Sequence, residues 1–265
     1  MKWIFNTGQK VTTVEGKVVD IWHLQHTIDP DILSSWAKHF RNHYCLDEEI
    51  DAMRSGTKLS REEYLINIKF PDVSIKPGPS IRAGDFGEIL VADYLEYVLN
   101  YWVPRTRYLN KAVRNESTKG SDLIGFKLVS EERDGPNDVL AVYEVKTQFS
   151  GNTAKPRLQN AVKGSAIDHI RLAETLNAMK QKFLDKKQFV ELSKVERFQS
   201  IEDRPYKEQY GAVALFSSQC LNADVIAATT TSEHPNDSKL SLLVIHGDQL
   251  MLLVHELYRR AANEA

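Results

Sequence analysis

Residues 121–130, SDLIGFKLVS, and residues 139–149, VLAVYEVKTQF, are separated by EERDGPND at 131–138. The second stretch begins with five apolar residues in a row, Val139 to Tyr143, a run expected of a strand buried on both faces. Asp134-Gly135-Pro136-Asn137-Asp138 is a strong turn signal. A hairpin centred on residue 133 then sets Asp122 opposite Glu144 and Gly120 opposite Lys146. Opposed strand residues hold their Cβ atoms roughly 4.5–5.5 Å apart. Two carboxylates at that separation, with apolar neighbours, repel each other. A divalent cation between them removes the conflict, and oxygen-only ligands favour Mg²⁺ or Mn²⁺ over zinc. Lys146, two residues beyond Glu144, points to the same face. It could orient or polarise an attacking water, so the pattern points to metal-assisted hydrolysis of a phosphodiester. The plainer alternative is a solvated strand end, with Asp122 a turn residue after Gly120-Ser121.

Upstream, GDFGEILVADYLEYVLN (84–100) carries Phe86, Leu90, Tyr94 and Val98 at helical spacing. Glu88 shares a stripe with the inward-facing Ala92 and Leu95, so it could reach a metal at the hairpin end. Asp85-x-x-Glu88 also fits a capping box, and the two readings stand side by side. Strands are expected around Tyr101–Tyr108, Ser121–Val129 and Val139–Phe149. A long amphipathic helix is expected over RLQNAVKGSAIDHIRLAETLNAMKQKFL. GAVALFSS and KLSLLVIH follow as strands, and QLMLLVHELYRRAANEA as a closing helix. This order predicts an α/β fold, a mixed sheet flanked by helices.

Residues 1–80 differ. VTTVEGKVVDIWHLQ reads as strands, and Asp29-Pro30 opens a helix with Asp29 as cap. SIKPGPS, with Pro77 and Pro79, reads as a joint. The expected division is an N-terminal α+β region over 1–80, for partner docking or regulation, and a catalytic domain over 81–265.

The bulk properties narrow the class. With 265 residues, 42% hydrophobic and 26% charged, the chain is expected to be soluble and globular. No stretch is long and apolar enough to cross a bilayer, and no signal core opens the sequence, so a cytoplasmic location is expected. Two cysteines, Cys45 and Cys220, argue against a disulfide framework or a cysteine zinc cluster. His39 and His43 lie four apart on the first helix. A metal pair could form there, but no acidic third ligand is apparent and a solvated helix face is the commoner reading. The net charge of −2 is unlike that of a protein gripping bare DNA over many phosphates, so any action on nucleic acid would be at a local site, or a partner would do the holding. Gln159 and Lys163, and the lysines 180, 182, 186 and 187, could approach a phosphate backbone but read equally as solvated helix faces.

A helix Glu, then Asp, then Glu-x-Lys on adjacent strands resembles the PD-(D/E)XK nuclease superfamily. The pieces are Glu88 in GDFGEIL, Asp122 in GSDLIGF and Glu144-Val145-Lys146 in YEVKTQ. Here Ser121 stands where the superfamily name has proline. The segment GDFGEILVADYL and the overall length further resemble HamA, the effector family of Hachiman anti-phage defence, which works with the helicase HamB. The resemblance implies a restriction-endonuclease-like core and Mg²⁺-dependent (or Mn²⁺-dependent) cleavage of DNA, in a heterodimer with a helicase subunit. It implies Asp122, Glu144 and the Val145 carbonyl as metal ligands, Lys146 positioning the water, and Glu88 holding the metal directly or through water. A stand-alone restriction-type endonuclease, or a non-cleaving DNA-binding subunit on the same fold, are the competing implications.

Overall fold

A computed structural model describes residues 3–109 and 111–265. Two strands, β1 (Ile4–Thr12) and β2 (Val18–Leu24), open the chain and lead to α1 (Pro30–Asn42). Asp29 caps α1 as expected, its carboxylate accepting from the amides of Asp31 and Ile32 at 3.0 and 3.1 Å. Short helices α2 (Ile50–Arg54) and α3 (Arg61–Tyr64) follow, the latter running into a π-helical turn at Leu65–Lys69. Then come α4 (Gly78–Tyr97), β3 (Leu123–Lys127), β4 (Val139–Gln148), α5 (Arg157–Ser165), α6 (Asp168–Asp185) and α7 (Phe189–Glu196). The chain closes with β5 (Lys207–Ser217), α8 (Ala223–Ala227), β6 (Leu240–Gly247) and α9 (Leu250–Asn263).

The six strands form one mixed sheet in the order β1-β2-β6-β5-β4-β3. β2, β6, β5 and β4 run parallel, and each edge strand is antiparallel to its neighbour. The parallel centre explains the apolar runs, because both of its faces are covered. Ala141, Tyr143 and Val145 of β4 join one core with Leu90 of α4, Phe40 of α1 and Leu257 of α9. Leu140 and Val142 join a second core with Leu158 of α5 and Leu176 of α6. The result is a helix–sheet–helix sandwich, the mixed α/β arrangement expected.

The β3–β4 hairpin has the register read from its turn. Leu123 pairs with Tyr143, Ile124 with Val142 and Lys127 with Val139. The ladder ends at Leu123, so Asp122 lies one step past it, at the mouth of the hairpin.

Several expectations change. The segment before residue 80 does not stand apart. β2 pairs with β6 and buries Val19 and Ile21 in the second core, while Ile4, Leu24 and Phe40 belong to the first. SIKPGPS is not a joint either, since α4 begins inside it at Gly78. The strand expected at Tyr101–Tyr108 reduces to a single bridge from Trp102 to Phe126, because Pro104 cannot donate to a ladder. The long helix expected from Arg157 is two helices, broken at Ala166-Ile167 after Gly164-Ser165.

Candidate active site

Glu144 and Lys146 sit near the C-terminal end of β4, on the side covered by α5. Gly164 of α5 lies so close that a Cβ added there would stand 2.5 Å from Glu144 Oε1, so only glycine leaves room for this carboxylate. Glu144 is 6% exposed. Its one charge partner is Lys146, whose ammonium contacts Oε1 and lies 4.0 Å from Asp122 Oδ2. Asp122 and Glu144 therefore face the same ammonium from the same side of the sheet.

Asp122 is held by two hydrogen bonds. Its Oδ2 accepts from the Val145 amide at 3.0 Å, and its Oδ1 accepts from Arg107 Nη2 at 3.0 Å. Arg107 is itself fixed by the carbonyls of Ser121 and Thr118 at 2.6 and 3.1 Å. Its Nε approaches Glu88 Oε2 to 2.7 Å. Glu88 also accepts from the Tyr108 hydroxyl. Glu88 thus joins the site through Arg107, on a continuous relay Glu88–Arg107–Asp122–Lys146–Glu144 of alternating charge. The capping reading of Glu88 fails because α4 starts at Gly78, which leaves Asp85 inside the helix. Asp85 is buried there and accepts from Tyr44 and Lys111, both at 2.7 Å.

The relay does not cancel the negative charge. Burial pushes the Glu144 carboxyl up to about 7, with Asp122 adding to the rise and Lys146 opposing it. Burial likewise pushes Glu88 up to about 8, against the pull of Arg107. Lys146 is raised: burial alone would lower it, but Asp122 and Glu144 outweigh that cost.

A further acid was missed in the sequence. Asp168, the first residue of α6, is fully buried, and neither carboxylate oxygen has a hydrogen-bond partner. Burial pushes it up to about 6. Asp168, Leu172, Leu176, Met179 and Phe183 are the buried residues of α6. An acid heading an otherwise apolar stripe was the readable signal. Arg107, Tyr108 and Lys111 were missed because their segment reads as a strand, although Pro104 argued against one.

These residues fit a hard divalent cation. The donors are oxygen, Glu88 and Glu144 are raised by burial and by the neighbouring Asp122 charge, and Asp168 is a buried acid without a partner. The site opens into a cavity of about 800 Å³ walled by Glu88, Arg107, Asp122, Glu144, Arg171 and Lys182. A space of that size admits a substrate rather than an ion alone.

Gln159 is not directed to this cavity. Its amide exchanges hydrogen bonds with the backbone of Thr230 at 2.7 and 3.1 Å. Lys180, Lys182 and Lys186 are likewise engaged, with Glu196, the Thr106 carbonyl and Glu49. No helix among the described residues is long and apolar enough to cross a membrane.

No curated protein matches the chain. The family model for HamA matches residues 1–261, a span that includes the N-terminal strands, Glu88, the β3–β4 hairpin and most of α9. The chain belongs to the HamA family, effectors of Hachiman-type defence.

Proposed function

We propose that the protein is a divalent-metal-dependent deoxyribonuclease, the effector of a defence complex with a helicase partner. The observation that carries this reading is the meeting of Asp122, Glu144 and Lys146 at the mouth of one hairpin, beside a cavity that Asp122 and Glu144 line and that is large enough for a phosphodiester. Asp122, Glu144 and the Val145 carbonyl would hold Mg²⁺ or Mn²⁺, which when bound supplies an activated water and neutralises charge on the phosphate.

The chain's own groups have definable tasks. Lys146 stays protonated, because the surrounding acids raise it, so it can hold an attacking water or steady the growing negative charge. The Val145 amide and Arg107 fix the orientation of Asp122, so no reorganisation is needed when substrate arrives. Glu144, with its carboxyl near 7 in the metal-free site, would release its proton when the cation binds. Glu88 acts at one remove, by orienting Arg107.

The partner would supply the grip on DNA that a net charge of −2 does not. Ile66, Ile68, Val73 and Ile75 are exposed within one stretch beside the α3–α4 connection, which suits an apolar docking patch for the helicase. Deleting residues 1–80 would strip two strands from the sheet, so docking is better tested with Ile68→Asp and Ile75→Asp in a pull-down. Undiminished helicase capture by both would remove the patch from consideration.

The activity is tested by plasmid nicking with Mg²⁺, comparing wild type with Glu144→Gln, each mixed with the helicase. Circular dichroism checks that both are folded. Nicking by wild type alone supports the assignment, and equal nicking by both removes it.

A further inference from the structure

A second cluster of ligand-type side chains lies outside the acid site. His39, one turn before the end of α1, and His43, its C-cap residue, turn their Nε2 atoms toward each other at 3.3 Å. The rings meet edge to face, 4.9 Å between centres. From α4, Asp93 brings Oδ1 to 3.0 Å from His39 Nε2. Among the described residues this is the one group of three His, Cys, Asp or Glu side chains whose ligand atoms all lie within 4.8 Å of one another.

The spacing has a chemical meaning. Zinc–nitrogen and zinc–carboxylate bonds of roughly 2.0–2.2 Å at tetrahedral angles set donor atoms about 3.3–3.5 Å apart. The His39–His43 separation already matches that edge, and the His39–Asp93 separation falls a little short of it. Without a cation, two imidazole nitrogens that face each other share one proton between them. Asp93 is also held in place, because Arg105 donates at 2.7 Å to the same Oδ1 while contacting Glu96. A ligating carboxylate usually carries such an outer partner. Asp93 and His43 are buried, whereas the His39 side chain is 35% exposed, which leaves a way in for an ion and room for a water.

We propose that His39, His43 and Asp93 form a zinc site with one open position. The two-nitrogen, one-oxygen donor set suits zinc, whereas the oxygen donors around Glu144 suit magnesium, so the molecule sorts two cations by ligand chemistry. The site links α1 to α4 one turn beyond Glu88. His43 lines the 800 Å³ cavity, while His39 and Asp93 line a second cavity of about 560 Å³, so the cluster forms the wall between them.

The test uses the full chain carrying Glu144→Gln, which sets the acid site aside. Chelator-treated protein is mixed with zinc chloride, passed through gel filtration and assayed for metal by mass spectrometry. The expected result is stoichiometric zinc, a Tm raised by zinc, and visible d–d absorption when cobalt(II) is substituted. His39→Asn, at a partly exposed position, should keep the fold and lower zinc affinity by about 10–100-fold. Asp93→Asn should do the same. Absence of retained zinc in the parent, or equal retention by parent and His39→Asn, would overturn the proposal.

Discussion

Lys146 is shared by two carboxylates: its ammonium contacts Glu144 and stands 4.0 Å from Asp122 Oδ2. A single positive charge placed between two acids holds them together in a buried site. A cation held by Asp122 and Glu144 would take over that neutralising role and leave Lys146 available to a phosphate. Replacing Lys146 with Met keeps an unbranched side chain one atom shorter and removes the charge. Cleavage should fall by about 10²–10³-fold. Magnesium binding, followed by calorimetry, should persist or tighten. A loss of magnesium binding with unchanged cleavage would contradict this division of roles.

Asp168 is destabilising where it sits, because burial leaves both its oxygens without partners. Asp168→Asn removes that charge at nearly constant shape. The expected outcome is a raised Tm above about pH 6, together with weaker magnesium binding and slower cleavage. A lowered Tm with full activity would show that the acid serves packing alone.

Gly164 tests the seating of Glu144. A methyl group there would force the carboxylate to move, because its Oε1 stands 2.5 Å from the added carbon. Alanine favours the helix by up to about 1 kcal/mol, so α5 itself should not suffer. Overpacking against the buried Glu144 outweighs that gain, so Gly164→Ala should lower stability by about 1–2 kcal/mol while slowing cleavage, by about 10²-fold if the shift approaches about 1 Å. Thermal unfolding and plasmid nicking on the same preparation read both effects.

The pH dependence follows from the raised carboxyls. Glu144 ionises near 7 and Glu88 near 8 in the folded chain, against 4.5 in the absence of burial. Between these limits the folded state binds more protons than the unfolded state, so stability falls as pH rises. The shift of Glu144 alone corresponds to roughly 3 kcal/mol. With chelator present, Tm should drop by several degrees from about pH 5 to about pH 8. Added magnesium should flatten that drop. A flat profile in chelator would mean that these acids are already neutralised within the fold.

Arg107 ties Glu88 to Asp122, and losing it would strand two buried carboxylates. Arg107→Ala is expected to cost about 3–5 kcal/mol in urea unfolding, more than a surface arginine would. Glu88, already near 8 beside Arg107, rises further without it, so the loss should be largest at alkaline pH, where Glu88 must ionise. The double substitution with Glu88→Gln should be less damaging than the sum of the two changes, because they share one interaction.

How far the sequence could be read depended on whether the information was local. The turn at Asp134–Asp138 and the apolar run of β4 are local, and they placed Leu123 opposite Tyr143 and brought Asp122 to Glu144's side. The cap at Asp29 was equally local. The loop from Trp102 to Asp122 was not: its arginines matter because they reach carboxylates on α4, which no short-range pattern records. The two histidines of α1 were visible at helical spacing. Their acidic partner, fifty-four residues after His39, could be found only once the helices were packed together. The place of β2 between β1 and β6 was likewise hidden, since a parallel pairing across more than two hundred residues leaves no local trace.

The sheet order bears on how the proposed nuclease would be kept quiet during synthesis. The first hairpin reaches the rest of the sheet only through β6, which occupies residues 240–247. Tyr44, which braces Asp85 beside the acid site, is itself completed by Tyr258. On the ribosome, the first strands must wait for nearly the whole message to be read before they find their neighbour. A product ended by a premature stop before β6 would lack the strand that joins its two halves, so, on the nuclease reading proposed above, only chains translated almost to the end would carry the complete fold.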